Sequence, residues 1–390
     1  MTAAPPRIAF LVTHLMGSGH VVRTLRIARA LTAAGARALV ISGGRALAHL
    51  GDQGALLAQL PPLSIRDLDY KTLRMPNGAP ADGAYMAARA AAIAQEIAAF
   101  APDVLVTELY PFGRRALGAE FEGAVAARPA GCRLVASIRD VLEPPSKPKR
   151  AAQTLERLAP YDLVLCHGDP RIAPLAISWP GGGAGLPAGL AARLAYTGYV
   201  ADLGAEAGEE AAVAAPVGAP SGEILVSVGS GAVGRALLEM AARASALSPR
   251  PWRLLVGGAD AAETAARLRA LGPAMAEPPR ADYTALLRGA ALSISLAGYN
   301  TAVEAARRSG PSLLIAMEEG GEREQILRAA AFGGLAGVTS LRIGDLGPAR
   351  LAAAAETAIA AGAPARAPLA ANGAPDSARR LIALARGVQG

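Results

Sequence analysis

The heptad GSGHVVR at positions 17–23 returns as GSGAVGR at positions 229–235. Each copy follows a short apolar run, RIAFLVT (7–13) or EILVSVGSG (223–231). After the first copy Val21, Leu25, Ala28 and Leu31 recur at helical spacing. A glycine turn joining strand to helix at the head of both halves requires two units of one plan. RALVISGG (37–44), DVLVTE (103–108), CRLVASIRD (132–140) and YDLVLCHG (161–168) continue the first series, and WRLLVGG (252–258), ALSISLAG (291–298) and SLLIAME (312–318) the second. Alanine-rich helical stretches separate them, and alternation of this kind predicts parallel, doubly wound α/β sheets, Rossmann-like in both halves.

With 390 residues the chain exceeds what one hydrophobic core usually supports. The boundaries expected are an N-terminal domain over 1–200, a linker rich in Ala, Gly, Pro and Glu over 201–222, a second domain over 223–365, and a C-terminal segment over 366–390. The last helical stretch, DSARRLIALARG (376–387), is expected to pack back on the first domain. The net charge of +7 comes from scattered arginines rather than a run of like charges, which weighs against a nucleic-acid partner. It leaves phosphate-bearing substrates or an anionic membrane surface as partners. No CxxC spacing, leader or apolar stretch near 20 residues occurs, so Cys132 and Cys166 read as reduced thiols of a cytoplasmic protein. Any membrane contact is then peripheral, at the inner face.

A glycine turn at a helix start gathers backbone N–H groups where the helix dipole favours an oxyanion, although glycines also simply close such turns. Neither copy fits the dinucleotide or Walker patterns. Ligands of parallel sheets bind at the carboxyl ends of the strands, so two domains facing each other across a cleft bring both turns to it. His20 at the head of its helix is placed as a general base, or else holds its own loop. His14 is the alternative imidazole or a neighbour lining the cleft, while His49 and His167 read as structural or solvent-facing. Glu108 closes DVLVTE as a second base or as a partner of Arg114 or Arg139. Arg23 and Arg235 serve phosphate, or else packing and surface charge.

In SLAGYNTAVEA (295–305), Glu304 shares a helix face with Asn300, where it accepts ribose hydroxyls or is an exposed charge. Glu318, Glu319, Glu322, Glu324 and Gln325 surround a further glycine turn, suited to a polyhydroxylated ligand or to a solvated acidic loop. His and Cys fall at no metal-ligand spacing, and the DLD at 67–69 is incidental, so neither metal nor cofactor is expected.

MGSGH (16–20), VGSGAVGR (228–235) and SLAGYNTAVEA together resemble the GT-B glycosyltransferases of the family-28 type, the group of the lipid-linked N-acetylglucosaminyltransferase of peptidoglycan synthesis. MGSGHVVRTLRIARAL, VTELYPFGRRAL, SIRDVL and EREQILRA are also similar to a bacterial branch of predicted glycosyltransferases, and GxGHxxR to the UDP-sugar hydrolase of pseudaminic acid biosynthesis. The resemblance implies that Gly17, Ser18, Gly19 and Arg139 lie on the acceptor side with His20. It implies that Gly229, Ser230 and Gly231 hold a donor diphosphate. Gly298, Asn300, Thr301 and Glu304 would form the nucleotide-sugar signature, and Glu324 and Gln325 would meet the donor sugar. AMEEGGEREQ (316–325) stands where the peptidoglycan branch has a proline-rich loop, which leaves the sugar open. The implied activity is metal-independent, inverting transfer from a UDP-linked donor to a glycan, lipid-linked or small-molecule acceptor, N-acetylhexosamine being the sugar of the peptidoglycan branch. Hydrolysis or epimerisation at the same donor site, and nucleotide-sugar binding without catalysis, are the alternatives.

Overall fold

The computed structural model describes residues 4–47, 54–66, 69–145, 147–180, 185–201, 222–229, 234–258, 260–318, 321–362 and 369–388. His49, Asp67, Ser230, Gly231, Ala232, Glu319 and nearly all of the expected linker lie outside them. The chain divides into Met1–Val200 with Ala370–Gly390, and Ala201–Leu369.

The first unit carries strands β1 (Arg7–Val12), β2 (Arg37–Ser42), β3 (Leu56–Gln59), β4 (Val104–Glu108), β5 (Arg133–Arg139), β6 (Leu163–His167) and β7 (Leu194–Tyr196). They form one parallel sheet in the order β3-β2-β1-β4-β5-β6-β7. Its helices are α1 (Gly19–Ala33), α2 (Gly83–Phe100), α3 (Gly118–Ala126), α4 (Pro148–Leu158) and the short α5 (Ala188–Ala191). Register is set by buried pairs such as Ile8 with Ala38 on one side and Val104 on the other. Buried along nearly their whole length, β1, β2, β4, β5 and β6 are continuous apolar runs, as covered parallel strands are.

The second unit repeats the plan with β8 (Ile224–Ser227), α6 (Arg235–Ala244), β9 (Trp252–Leu255), α7 (Ala261–Arg269), β10 (Met275–Glu277), α8 (Tyr283–Gly289), β11 (Leu292–Leu296), α9 (Tyr299–Arg307), β12 (Ser312–Ala316), α10 (Glu324–Phe332), β13 (Val338–Arg342) and α11 (Pro348–Ala360). The order of its sheet is β10-β9-β8-β11-β12-β13, again wholly parallel. Strand order therefore reverses between β1 and β4 in one unit and between β8 and β11 in the other, the switch points where such sheets take their ligands.

Val21, Leu25, Ala28 and Leu31 of α1 are all buried, as their spacing predicts. The chain returns to the first unit as α12 (Gly373–Ala385), whose Ala378 and Leu381 enter the same core as Val21, Leu25 and Ile27. Tyr199 donates its backbone N–H to Ala370 O at 2.6 Å, and Gly373 N–H reaches Tyr199 O at 3.1 Å, clamping the outgoing and returning segments together. Gly198, with φ +81°, is required there because a Cβ would lie 2.7 Å from Ala370 O.

Candidate functional site

The switch point of the first unit assembles a site from the ends of successive strands. After β1 the chain turns through Met16–Ser18 and enters α1 at Gly19, so that His20 is the second helical residue. A Cβ at Gly17 would meet no atom, so Gly17 is not demanded by packing. The first turn of α1 has neither an acidic residue nor a capping side chain, and its dipole is unopposed there. Below the turn, Gly43 and Gly44 press on Thr13 and His14, since a Cβ on Gly44 would stand 2.3 Å from His14 O. Arg89 fixes that loop: it is wholly buried, holds both carboxylate oxygens of Glu120 at 2.8 and 2.9 Å, and donates to Gly43 O at 3.1 Å.

Glu108, the last residue of β4, is 1% exposed and is the hub of the site. Its Oε1 lies 2.9 Å from His20 Nδ1 and accepts from the Arg23 guanidinium, while its Oε2 accepts from the Ser137 hydroxyl. Ser137 in turn lies 2.9 Å from His167 Nε2, and His167 Nδ1 lies 2.9 Å from Thr197 Oγ1. Burial alone would raise the Glu108 carboxyl, but Arg23, His20 and Ser137 together hold it well below the usual carboxylate range. A charged carboxylate has no proton to give, so the hydrogen between Glu108 and His20 belongs to Nδ1, and the Arg23 guanidinium, 3.3 Å from that same nitrogen, donates to Glu108 instead. Nε2 of His20 is then an unprotonated acceptor, and it makes no hydrogen bond among the described residues.

Burial lowers the His20 pKa well below 6.5; Arg114 and Arg139 add to that, against the opposing pull of Glu108. The imidazole is therefore neutral at pH 7, as a base must be before it takes a proton. Arg114 takes a left-handed backbone, φ +58°, as does Leu109 at +66°, so the loop leaving β4 contains two non-glycine residues in a sparsely populated region. Burial and the neighbouring Arg139 depress the Arg114 guanidinium to about 10. His14 is 4% exposed, and neither ring nitrogen has a partner with hydrogen-bond geometry among the described residues. Burial and Arg114 lower its pKa as well.

In the second unit the turn after β8 is described at Gly229, φ +82°, and resumes at Gly234, φ +91°, where a Cβ would strike Val228 at 2.8 Å. Arg235 bonds Asp260 at 2.5 Å and Gly257 O at 3.3 Å. Gly298 caps α9, and the Thr301 hydroxyl folds back on Leu296 O at 2.6 Å and Gly298 O at 3.1 Å. Glu304 accepts from the Tyr283 hydroxyl at 3.1 Å. Glu324 turns inward: 3% exposed, it pairs at 2.9 Å with Arg328, whose NH1 also donates to Ala297 O at 3.2 Å. That pair ties the start of α10 to the loop before α9. Asn300 Oδ1 and Gln325 Oε1, at the starts of those two helices, are buried without a hydrogen-bond partner among the described residues.

Of the residues singled out in the sequence, the structure brings His20, Glu108, Arg139, Arg114 and Arg23 into one neighbourhood. In the other unit Gly298, Asn300, Thr301 and Glu304 share the start of α9. His167 is fully buried within the hydrogen-bonded chain rather than facing solvent. Ser137, Thr197 and Tyr283 were not singled out, yet the first two sit in or just beyond a strand at its carboxyl end, the same positional signal that marks Glu108. Among the described residues no three His, Cys, Asp or Glu side chains gather at metal-ligand range, and no helix is long and apolar enough to cross a membrane.

No protein-family model matches the sequence, and no curated protein is significantly similar to it. Solved structures do match. MurG of Acinetobacter baumannii superposes with a TM-score of 0.58 at 16% identity, covering 98% of this chain and 100% of that one. The kitacinnamycin glycotransferase does so at 0.58 and 18%, covering 98% and 95%, and the calicheamicin glycosyltransferase CalG4 at 0.54 and 16%, covering 98% and 94%. At these identities the likeness establishes the fold: two Rossmann-like units in the GT-B succession.

Proposed function

We propose that this chain is a glycosyltransferase that moves a sugar from a nucleotide-linked donor, UDP-linked on the resemblance of its second-unit motifs, to an acceptor hydroxyl activated by His20. The observation that carries the reading is the 2.9 Å bond from His20 Nδ1 to a buried, ionised Glu108, which leaves Nε2 as the open base at the switch point of the sheet. Glu108 orients the ring and stabilises the imidazolium that forms, the division of labour of a carboxylate–histidine pair.

The acceptor O–H gives its proton to His20 Nε2 as its oxygen bonds to the anomeric carbon. The bond from that carbon to the diphosphate oxygen breaks on the opposite face, so configuration inverts and a nucleoside diphosphate leaves. Gly229, Ser230, Gly231 and the start of α6 are assigned to the developing charge. Glu304 is assigned to the ribose, with its carboxylate pre-set by Tyr283. Asn300 and Gln325 each carry an amide oxygen unsatisfied among the described residues, assigned to donor hydroxyls. Glu324, held by Arg328, is assigned a role in placing Gln325 as well as the sugar contact. Gly17, Ser18, Gly19 and Arg139 border the acceptor. An N-acetylhexosamine is the first sugar to try, on glycan, lipid-linked and small-molecule acceptors.

The test is a thermal-stability screen of the full chain against UDP-, dTDP- and GDP-linked sugars, followed by product analysis with and without acceptors. Stabilisation by a nucleotide sugar and acceptor-dependent release of the nucleoside diphosphate are expected. Free monosaccharide without acceptor would move the reading to hydrolysis, and the absence of stabilisation by any nucleotide would end it.

A further inference from the structure

The hydrogen bonds that run from Thr197 through His167 and Ser137 to Glu108 can each be given a direction. Glu108 is ionised and only accepts, so the single Ser137 hydroxyl proton goes to Oε2. Ser137 Oγ then has only lone pairs left for its 2.9 Å contact with His167 Nε2, and that nitrogen must carry the proton. His167 is fully buried, and burial and Arg23 depress its pKa to about 3 against the opposing effect of Glu108, so the ring is neutral and carries one proton only. Its Nδ1 therefore accepts, and the donor within reach is the Thr197 hydroxyl at 2.9 Å, whose one proton then goes to the ring rather than to Gly198 O, 3.0 Å away. The chain runs one way: Thr197 to His167, His167 to Ser137, Ser137 to Glu108, with His20 donating to Glu108 from the other side.

Its outer end is anchored. Thr197 donates its own backbone N–H to Cys166 O at 3.0 Å and precedes the Gly198–Tyr199 segment that is clamped to Ala370 and Gly373. A ring fixed at both nitrogens by groups on β5 and just beyond β7 cannot swing, and neither can the serine it supports. A neutral, buried histidine that merely filled space would need no such ordered set of donors.

We propose that His167 is a positioning residue for His20: through Ser137 it holds the Glu108 carboxylate in the orientation that keeps the His20 proton on Nδ1 and the Nε2 lone pair open. The inference rests on the reading of His20 as the base, but its geometry can be examined without any transfer assay. The charged groups around the pair are Arg23 from α1, Glu108 from β4, Arg114 from the loop after β4, and Arg139 at the end of β5.

The chain has only four histidines, so nitrogen NMR of the full-length protein with labelled imidazoles resolves each ring, assigned by single substitutions. His167 is expected as the neutral Nε2–H tautomer at pH 7 and down to about pH 4, and His20 as the neutral Nδ1–H tautomer. Ser137→Ala removes one donor from Glu108, concentrates its charge toward His20, and is expected to raise the His20 pKa by about half a unit to one unit. It also lowers kcat about tenfold with little change in KM. His167→Gln, which retains a donor and an acceptor, keeps kcat within about threefold, whereas His167→Phe matches Ser137→Ala, and the double variant is no worse than either, as members of one chain require. The Nδ1–H tautomer at His167, or an unchanged His20 titration in Ser137→Ala, overturns the proposal. Ser137→Ala decides the matter if His167→Phe does not fold. If the native protein transfers no sugar, the functional reading fails on that result, while the NMR outcome still judges the positioning.

Discussion

Arg23 and Arg235 stand at the same place in the repeated heptad, yet their guanidinium groups hold carboxylates in different settings. Arg23 is 2% exposed and bonds Glu108 inside the site; Arg235 is partly buried and bonds the half-exposed Asp260, before α7. The difference yields an asymmetric stability test. Arg23→Ala leaves Glu108 buried and short of a partner, a change that costs roughly 3–5 kcal/mol, whereas Arg235→Ala removes a solvent-screened pair and leaves the urea midpoint almost unmoved. Equal losses in chemical denaturation would show that Arg23 is not paired as described.

On the catalytic side, His20→Ala is expected to lower kcat by 10²- to 10⁴-fold, the range of a general base, without loss of nucleotide-induced stabilisation. Glu108→Gln is expected to be at least 10²-fold slower, because an amide can donate to Nδ1 and so push the proton to Nε2. Steady-state kinetics with a fixed donor check both, and a Glu108→Gln protein of native rate would remove the carboxylate from the mechanism.

The sheet centres were legible because their strands are apolar on both faces; the edges were not. β3, β7, β10 and β13 each lie at a sheet edge, and their short, partly exposed segments give little apolar periodicity to read. His20 and Glu108 were legible for a similar reason, since a glycine turn and a strand end mark where parallel sheets present chemistry. That Glu108 lies 2.9 Å from His20 depends on β4 lying beside β1, which no local pattern encodes. That His167 is the structural rather than the solvent-facing of its two readings follows from β5 and β7 flanking β6 and burying its last residue, a pairing that the sequence does not show.

Arg114 and Arg139 both depress the His20 pKa, after burial and beside the opposing effect of Glu108. Arg114→Ala removes the larger of the two charge effects, so the His20 pKa rises toward 6.5 and the acidic limb of the kcat/KM profile moves to higher pH. A limb that stays in place, or moves down, contradicts the described arrangement of cations.

In the second unit, with the donor placed as proposed, Glu304→Gln is expected to weaken nucleotide-sugar stabilisation, since a carboxylate accepting two ribose hydroxyls loses one acceptor on becoming an amide. Tyr283→Phe removes the hydroxyl that fixes that carboxylate, 3.1 Å away, and is expected to give a smaller weakening of the same sign. Calorimetric titration with the nucleotide found in the screen measures both, and binding unchanged in Glu304→Gln would take the ribose away from α9.

Acid should unfold the first unit in a predictable order. His20 and His167 have pKa values below that of an unfolded histidine, His167 at about 3. Below pH 6.5 the unfolded chain takes up protons that the folded chain refuses, so stability is full above that value and falls as pH drops from 6.5 toward 3. Each histidine contributes a slope of ~1 kcal/mol per pH unit within its window. Glu108, whose pKa is also lowered, adds a further loss that begins near its unfolded value of 4.5 and steepens the decline. Urea midpoints at pH 8, 6, 5 and 4 trace this curve, and His167→Gln should flatten it by the share of one proton. A midpoint constant from pH 7 to pH 4 would mean that neither ring is held neutral by the fold.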